Sequence, residues 1–239
     1  MGTPDVSILL PIWNGIANYP EGFLQRAIDS VLFQQPSISV ELCIVDDGST
    51  DETAQFLGLL TDKRIKLAHN PHLGPAATLN DAADMATGRY MIQFSTRTWF
   101  ELDGLNHLVQ ALDEHPEAGF AYGRMQLHGV WNFTTNPPPF DRARCWREFR
   151  ENFFLYRAEA YHAYGCRYSN YFIKPEGYVG ACDKDFLMQM IVNLGWSGIA
   201  VPDHLIAHYY RSSDGQLTDL LLKYKQEADQ EFFRRWGNA

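Results

Sequence analysis

The sequence predicts an α/β fold, a single domain built on a mostly parallel central sheet flanked by helices. Three observations predict it. Val6-Ser7-Ile8-Leu9-Leu10 is a short, almost continuously apolar run of strand formers, stopped by Pro11 and Asn14-Gly15, the pattern of a strand buried on both faces. A second such run, Val40 to Val45, ends in a pair of aspartates. Segments with helical spacing alternate with these runs, and strand–helix alternation places helices on both faces of a parallel sheet.

The elements follow in order. Phe23, Ala27, Ile28, Val31 and Leu32 recur at helical spacing, and Pro36 ends that helix after Gln34-Gln35. After the Val40 to Val45 strand, Ser49 or Thr50 is placed to cap a helix with Asp51 and Glu52 near its positive end and Phe56, Leu59 and Leu60 as its buried stripe. Arg64 to Ala68 reads as a strand, Gly74 to Ala86 as an alanine-rich helix stopped at Thr87-Gly88, and Tyr90 to Phe94 as the next strand. A helix around Leu102 to Leu112 follows. The run Asn136-Pro137-Pro138-Pro139 then breaks the pattern, and the alternation fails through Arg142 to Tyr171, which is rich in aromatics and arginines. Leu217 to Trp236 is amphipathic and is expected to be a packing helix.

Composition narrows the function. Hydrophobic residues make up 46% and charged residues 21% of the 239, as in an ordinary globular protein. The formal charge of -9, from 20 basic against 29 acidic residues, opposes a long phosphate backbone, so no nucleic-acid partner is expected. A small anionic ligand needs only a few local cations. Cys43, Cys145, Cys166 and Cys182 show no C-x-x-C spacing, and no basic stretch precedes an apolar signal core, so reduced, mostly buried thiols in a cytoplasmic protein are expected. The longest apolar run, Val6 to Ile12, is far short of the ~20 residues that span a bilayer, which leaves at most peripheral membrane association.

Ligands of open parallel sheets bind beyond the carboxyl ends of the strands, and three unusual loops converge there: Pro11 to Gly15, Asp46 to Asp51, and Ser95 to Thr98. Carboxylates at a strand's end commonly grip a nucleotide, although Asp46-Asp47-Gly48-Ser49 is also the composition of an ordinary turn with a helix cap. Other chemistries lack their signatures. The eight histidines form no H-E-x-x-H, and His69, His72, His107, His115 and His128 read as structural or solvent-facing rather than as metal ligands. No nucleophile elbow or P-loop is present, nor the Gly-rich, Arg-containing opening loop of a nucleotidyltransferase.

These residues resemble the inverting glycosyltransferases of family 2, over most of the chain. Val6 to Asn14 is similar to the family's opening strand motif, and Val45-Asp46-Asp47-Gly48-Ser49-Thr50-Asp51 to its second motif. Asn70, Gly74, Ala77, Asn80, Ala83, Gly88 and Tyr90 follow the third, leading into Trp99 and Glu101 to Leu105. Gly180-Ala181-Cys182-Asp183-Lys184-Asp185 resembles the acidic motif that carries the base, with Cys182 where the family has glutamate. Gly195-Trp196 through Leu205, then Tyr210-Arg211, come in family order.

The resemblance implies a GT-A (Rossmann-like) fold, a nucleotide-sugar donor, preferably UDP-linked, and a carbohydrate or glycolipid acceptor. Residues 1–115 would form the nucleotide-sugar-binding half, and 116–239 the acceptor-binding half and closing helix. Implied donor-site residues are Pro11, Trp13, Asn14, Asp46, Asp47, Gly74, Asn80, Arg97, His208 and Arg211. Trp13 would stack on a uracil-like ring, Asp47 would accept the base N–H, and Asp46 would fix the loop or the ribose. Asp183 is the candidate general base for transfer with inversion, and Asp185 the fallback.

The resemblance also implies an Asp-x-Asp pair holding Mg²⁺ or Mn²⁺ on the diphosphate, but the aligned segment is Ser95-Thr96-Arg97. Hydroxyls are poor sole ligands for a hard dication and Arg97 would repel it, so a divalent cation is disfavoured. Two readings stay open. In one, Arg97 replaces the metal, helped by His208 and Arg211, and the enzyme works without an ion; in the other, the chain is a catalytically inactive nucleotide-sugar-binding or scaffold protein of the same fold.

Overall fold

The computed structural model describes residues 2–19, 21–33, 35–129, 132–136, 138–142, 153–169, 173–174, 177–178, 182–210 and 230–237. In chain order the first half runs β1 (Val6–Ile12), α1 (Phe23–Phe33), β2 (Val40–Asp46), α2 (Thr53–Gly58), β3 (Ile65–His69), α3 (Pro75–Met85), β4 (Tyr90–Gln93), β5 (Thr98–Phe100) and α4 (Gly104–Glu114). The second half holds β6 (Ala118–Gly129), β7 (Phe133–Thr134), β8 (Phe154–Arg157), α5 (Glu159–His162), a small β9–β10 pair (Ile173–Lys174 and Gly177–Tyr178), α6 (Cys182–Met188) and β11 (Ser197–Tyr210). A π-turn, Gln189–Asn193, extends α6, and residues 230–236 form a last helix, α7.

Among the described residues, one large sheet has the order β3-β2-β1-β4-β8-β6-β11-β5, with β7 on β6. The four strands at the β3 end pair in parallel, as does the long β6–β11 ladder, whereas β8 runs antiparallel to both β4 and β6. Since β8 reverses direction twice, β6 and β11 point the same way as β1. All these strands therefore deliver their carboxyl ends to one edge.

Side-chain alternation sorts the core into two layers. Ile8, Leu10 and Ile12 of β1 face α1, α2 and α4, while Leu9 faces α3, α6 and α7. The short side chains Ala76, Ala82 and Ala83 let α3 lie close to β1 and β2.

The helix α2 departs from the sequence expectation. Ser49 and Thr50 do not cap it, because both bond the β1 loop: Ser49 Oγ accepts the Asn14 N–H at 2.8 Å, and Asn14 Oδ1 accepts the Thr50 N–H at 2.7 Å. Asp51 takes over, its Oδ1 accepting the Thr53 N–H at 3.0 Å. The stripe is rotated too, with Leu57 fully buried and Leu59 exposed.

The edge opposite the carboxyl ends is locked by a buried acid. Glu41 accepts hydrogen bonds from Ser7 Oγ (2.6 Å) and the Thr87 N–H (2.6 Å) and pairs with Lys66 Nζ at 2.8 Å, while the Gly88 N–H donates to Ser7 Oγ at 2.8 Å. Burial pushes this carboxyl up, but the Lys66, Ser7 and Thr87 donors outweigh it and hold it below the usual range. A Cβ on Gly88 would sit 2.7 Å from the Ser7 nitrogen, so glycine alone fits there. Glu41→Ala leaves these donors without their shared acceptor and is expected to lower stability by roughly 2–4 kcal/mol, read by urea unfolding. A change within experimental error would show that the lock does not hold the edge.

Candidate active site

Pro11 opens the site. Residues of a parallel strand direct N–H and C=O to the same neighbour, and Leu9 faces β4, its carbonyl accepting the Phe94 N–H at 2.8 Å. Pro11, two residues on, faces β4 as well but has no N–H to offer. The β1–β4 ladder ends at Leu9 and Gln93, whereas β1 stays paired with β2 through Ile12 and Asp46. The strands part where the order turns from β2 on one side of β1 to β4 on the other, the switch point at which α/β sheets bind ligands.

The loop after β1 forms one wall. Asn14 is left-handed (φ 48°), and its side chain and N–H hold Thr50 and Ser49. Trp13 is 48% exposed, its ring 4.9 Å from the His72 ring.

The aspartate pair fixes the neighbouring loops. Asp46 is buried; its Oδ1 accepts the Ser49 N–H at 3.1 Å, and its Oδ2 lies 3.2 Å from His69 Nδ1. Asp47 accepts the N–H groups of Leu73 (2.7 Å) and Gly74 (2.9 Å), just before α3, with His72 Nδ1 3.3 Å from Oδ2. Gly48 (φ 74°) is required because a Cβ there would lie 2.9 Å from the His72 nitrogen. Asp47 is only 4% exposed and so acts as a loop clamp, although a carboxylate has roughly four acceptor sites and the two N–H groups with His72 occupy three of them.

On the other wall, Ser95-Thr96-Arg97 form a tight turn after β4, closed by the Thr98 N–H bonding to the Ser95 carbonyl at 3.0 Å. Ser95 Oγ bonds Thr98 Oγ1 at 2.7 Å, and Thr98 Oγ1 lies 2.8 Å from Nδ1 of the buried His208. Burial, reinforced by the charge of Arg97, pushes the His208 pKa down to about 3. The expectation that His208 lends positive charge is thereby corrected: the ring is neutral at physiological pH.

Asp183 reaches the same edge on α6. Its Oδ1 accepts the Lys184 N–H at 2.8 Å, and Gln93 Nε2 approaches Oδ2 at 3.4 Å from the last residue of β4. Burial raises this carboxyl above the ordinary range, the more so because these donors are few and weak. Asp185, the fallback, is fully buried and accepts from Ser169 Oγ (2.6 Å), Gln189 Nε2 (3.0 Å), Arg235 Nη1 (3.0 Å) and Trp236 Nε1 (2.9 Å), which engages it in packing contacts. It ties α7 to α6.

The structure thus brings Pro11, Trp13, Asn14, Asp46, Asp47, Gly74, Arg97, His208 and Asp183 to one edge. Asn80 is not directed there. Both ends of its amide bond the Tyr168 backbone, at 2.9 and 3.0 Å, so it braces α3 against the second half. Arg211 and Cys145 lie outside the described residues. Sequence reasoning missed His72 and Gln93; the available signal was that each lies at or just beyond the carboxyl end of a parallel strand.

A dication of the kind implied by an Asp-x-Asp pair does not fit here. The Ser95 hydroxyl is bonded to Thr98, Thr96 is buried under the β1 loop, and Arg97 is cationic. Among the described residues, no three His, Cys, Asp or Glu side chains converge as a metal site.

The profile of Glycosyl transferase family 2 matches residues 7–174, more than half of the chain. The chain belongs to glycosyl transferase family 2. Its relatives include a chondroitin synthase of Pasteurella multocida (strain Pm70) and a hyaluronan synthase of Pasteurella multocida. Each is 36% identical over 104 residues, 43% of this chain, and the match spans about a tenth of either synthase's length. Solved structures of S. aureus TarS 1-349 with UDP and with UDP-GlcNAc superpose with TM-scores of 0.69 and 0.68 at 18% and 17% identity. They cover 86% and 87% of this chain and 60% and 59% of theirs, a likeness of fold. The mixed sheet flanked by helices is the GT-A, Rossmann-like architecture. Among the described residues of this family 2 chain, no helix is long and apolar enough to cross a membrane.

Two stability predictions follow from the site. Unfolded histidine titrates near 6.5 while His208 in the fold titrates near 3, so the unfolded state takes up the extra proton between them. Stability is full above pH 6.5 and falls as pH drops toward 3; His208→Gln removes that part of the slope, which denaturation at several pH values reads directly. Equal slopes in the two proteins would refute the neutral assignment. Asp185→Ala strands the buried Trp236 donor and removes the Arg235 ion pair, and is expected to cost about 3 kcal/mol, seen as a lower melting temperature and altered tryptophan fluorescence. Unchanged spectra would mean that α7 docks by other contacts.

Proposed function

We propose that this chain transfers a sugar from a UDP-linked donor to an acceptor hydroxyl with inversion at the anomeric carbon. The observation that carries this reading is the position of Asp183, a carboxyl raised by burial, beside Gln93 at the end of β4, where the sheet parts from β1. Family membership and the fold shared with a UDP-GlcNAc-bound TarS structure support it. Residues 1–115 supply the donor side and residues from 116 onward the acceptor side.

The uracil ring stacks on the exposed Trp13, and its imide N–H is read by the remaining acceptor capacity of Asp47. Asp183 takes the proton of the acceptor hydroxyl while that oxygen bonds the anomeric carbon and the bond to the diphosphate oxygen breaks. The departing diphosphate gains negative charge, which the Arg97 guanidinium offsets in place of a dication.

Transfer is therefore expected to persist in EDTA; abolition by chelator with rescue by Mn²⁺ defeats the metal-free step. Asp183→Asn is expected to keep UDP affinity and to lower the transfer rate by on the order of 10²–10⁴. In the wild type the rate should fall on acidification with a midpoint above 3.8, the ordinary aspartate value, because the base form is lost there. Trp13→Ala is expected to weaken UDP about three- to tenfold in calorimetry without loss of stability. UDP binding with no turnover across a donor panel would mark a scaffold instead.

A further inference from the structure

A second concavity lies away from the β1–β4 crevice, between β6 and β11. It is a cavity of about 280 Å³ lined by Arg124, Asn136, Pro139, Ala200, Val201 and Pro202. Its origin is a slip in register. Ala200 and Val201 of β11 pair in step with Tyr122 and Gly123 of β6, but the next partner of Arg124 is His204, so Pro202 and Asp203 bulge from the ladder. Bulges re-aim side chains and are common beside active sites. A roof is held over the gap: Tyr122 Oη donates to the Pro138 carbonyl at 2.9 Å, and Phe140 packs edge-on against Phe120 at 5.6 Å.

Arg124 is half-buried at this gap and, among the described residues, makes no ion pair or hydrogen bond. In a chain with 29 acidic against 20 basic residues, carboxylates are in excess, so an arginine left without one is notable. Alternation along β6 places Arg124 on the face of Phe120 and Tyr122, opposite Met125, which is also the face that carries α6. Continuing the β8 register, Tyr122 stands level with Gln93 across two strand spacings, ~10 Å. Arg124 is two residues nearer the carboxyl edge.

We propose that this cavity is an oxyanion subsite for the acceptor, where Arg124, helped by the Asn136 amide, holds a carboxylate or phosphate carried by the acceptor saccharide. A guanidinium fork matches both groups, and the buried Val201 beside it shields one side of the pair. The separation of ~10 Å between the β6 strand and Gln93, which contacts Asp183, suits a charge one or a few sugars from the reacting hydroxyl. The inference rests on the proposed transfer for the identity of its ligand as the acceptor.

Calorimetry on the full chain tests it with methyl β-glucuronide, glycerol phosphate and, as a neutral control, methyl glucoside, alongside UDP. At least one charged probe should bind on the order of tenfold or more tighter than the neutral one. Arg124→Met should remove that preference while UDP affinity stays unchanged. Binding of the glucuronide alone assigns a carboxylate, of the phosphate alone a phosphate, and of both a general oxyanion site. Should Arg124→Met fail to fold, Arg124→Lys keeps the charge but loses the fork, and should bind the charged probes several-fold more weakly. Equal binding of all probes by wild type, or retention of the preference in a folded variant, overturns the subsite. UDP binding without a charged-probe preference sinks the subsite alone; the converse result sinks the nucleotide reading and leaves the pocket standing.

Discussion

The parting of β1 from β4 is the constraint on which the rest of the molecule depends. A parallel sheet has no intrinsic reason to open at its centre, because each further pair of residues adds hydrogen bonds. Pro11 supplies the reason, since beyond Leu9 the strand has no donor to give β4. The turn Ser95 to Thr98 then carries the chain away, while Ile12 continues beside Asp46 and its carbonyl accepts the Asp47 N–H at 2.7 Å. A single missing N–H thus becomes a crevice with the β1 loop on one side and the β4 turn on the other. The Glu41 lock lies at the far edge of the same strands, so the sheet is held shut at one end and free to part at the other.

Buried acids show how the chain divides stability from chemistry. Glu41 and Asp183 both lose solvation, yet their affinities for protons move in opposite directions. Glu41 receives a lysine, a hydroxyl and a backbone N–H, and stays charged. Asp183 receives the backbone N–H of Lys184 and its own, the nearby Lys184 charge and a long contact from Gln93, which together do not offset its burial. The same contrast separates neighbours on one helix turn, since Asp185 is met by four donors and anchors α7. An acid fully met by donors is held in place; one whose donors do not offset its burial keeps a tendency to take a proton.

The first half of the fold was legible because its signals are local: apolar runs of strand length, helical spacing and a proline at a strand's end. The boundaries held to within about two residues for β3, α3 and α4. What failed was local chemistry with two outlets. Ser49 and Thr50 fit a helix cap and equally fit the Asn14 loop, and only the tertiary position of β1 decides between them. Asp183 and Asp185 were nearly indistinguishable as sequence, because their difference is made by Arg235 and Trp236, some fifty residues downstream. Asn80 had the right spacing for a ligand, but Tyr168 claims both ends of its amide. The β11 bulge left no periodic trace, since the residues that define it belong to a ladder between distant segments.

The turn Ser95-Thr96-Arg97 couples a charge to a hydrogen-bonded shape. The Arg97 guanidinium helps to keep His208 neutral, and neutral His208 completes the hydrogen-bonded set with Thr98 and Ser95 that shapes the turn. Turn geometry and charge are therefore coupled, because protonating the buried His208 would add a second positive charge to the field of Arg97. The turn therefore works as a unit, in which one charge and two hydroxyl contacts are set together.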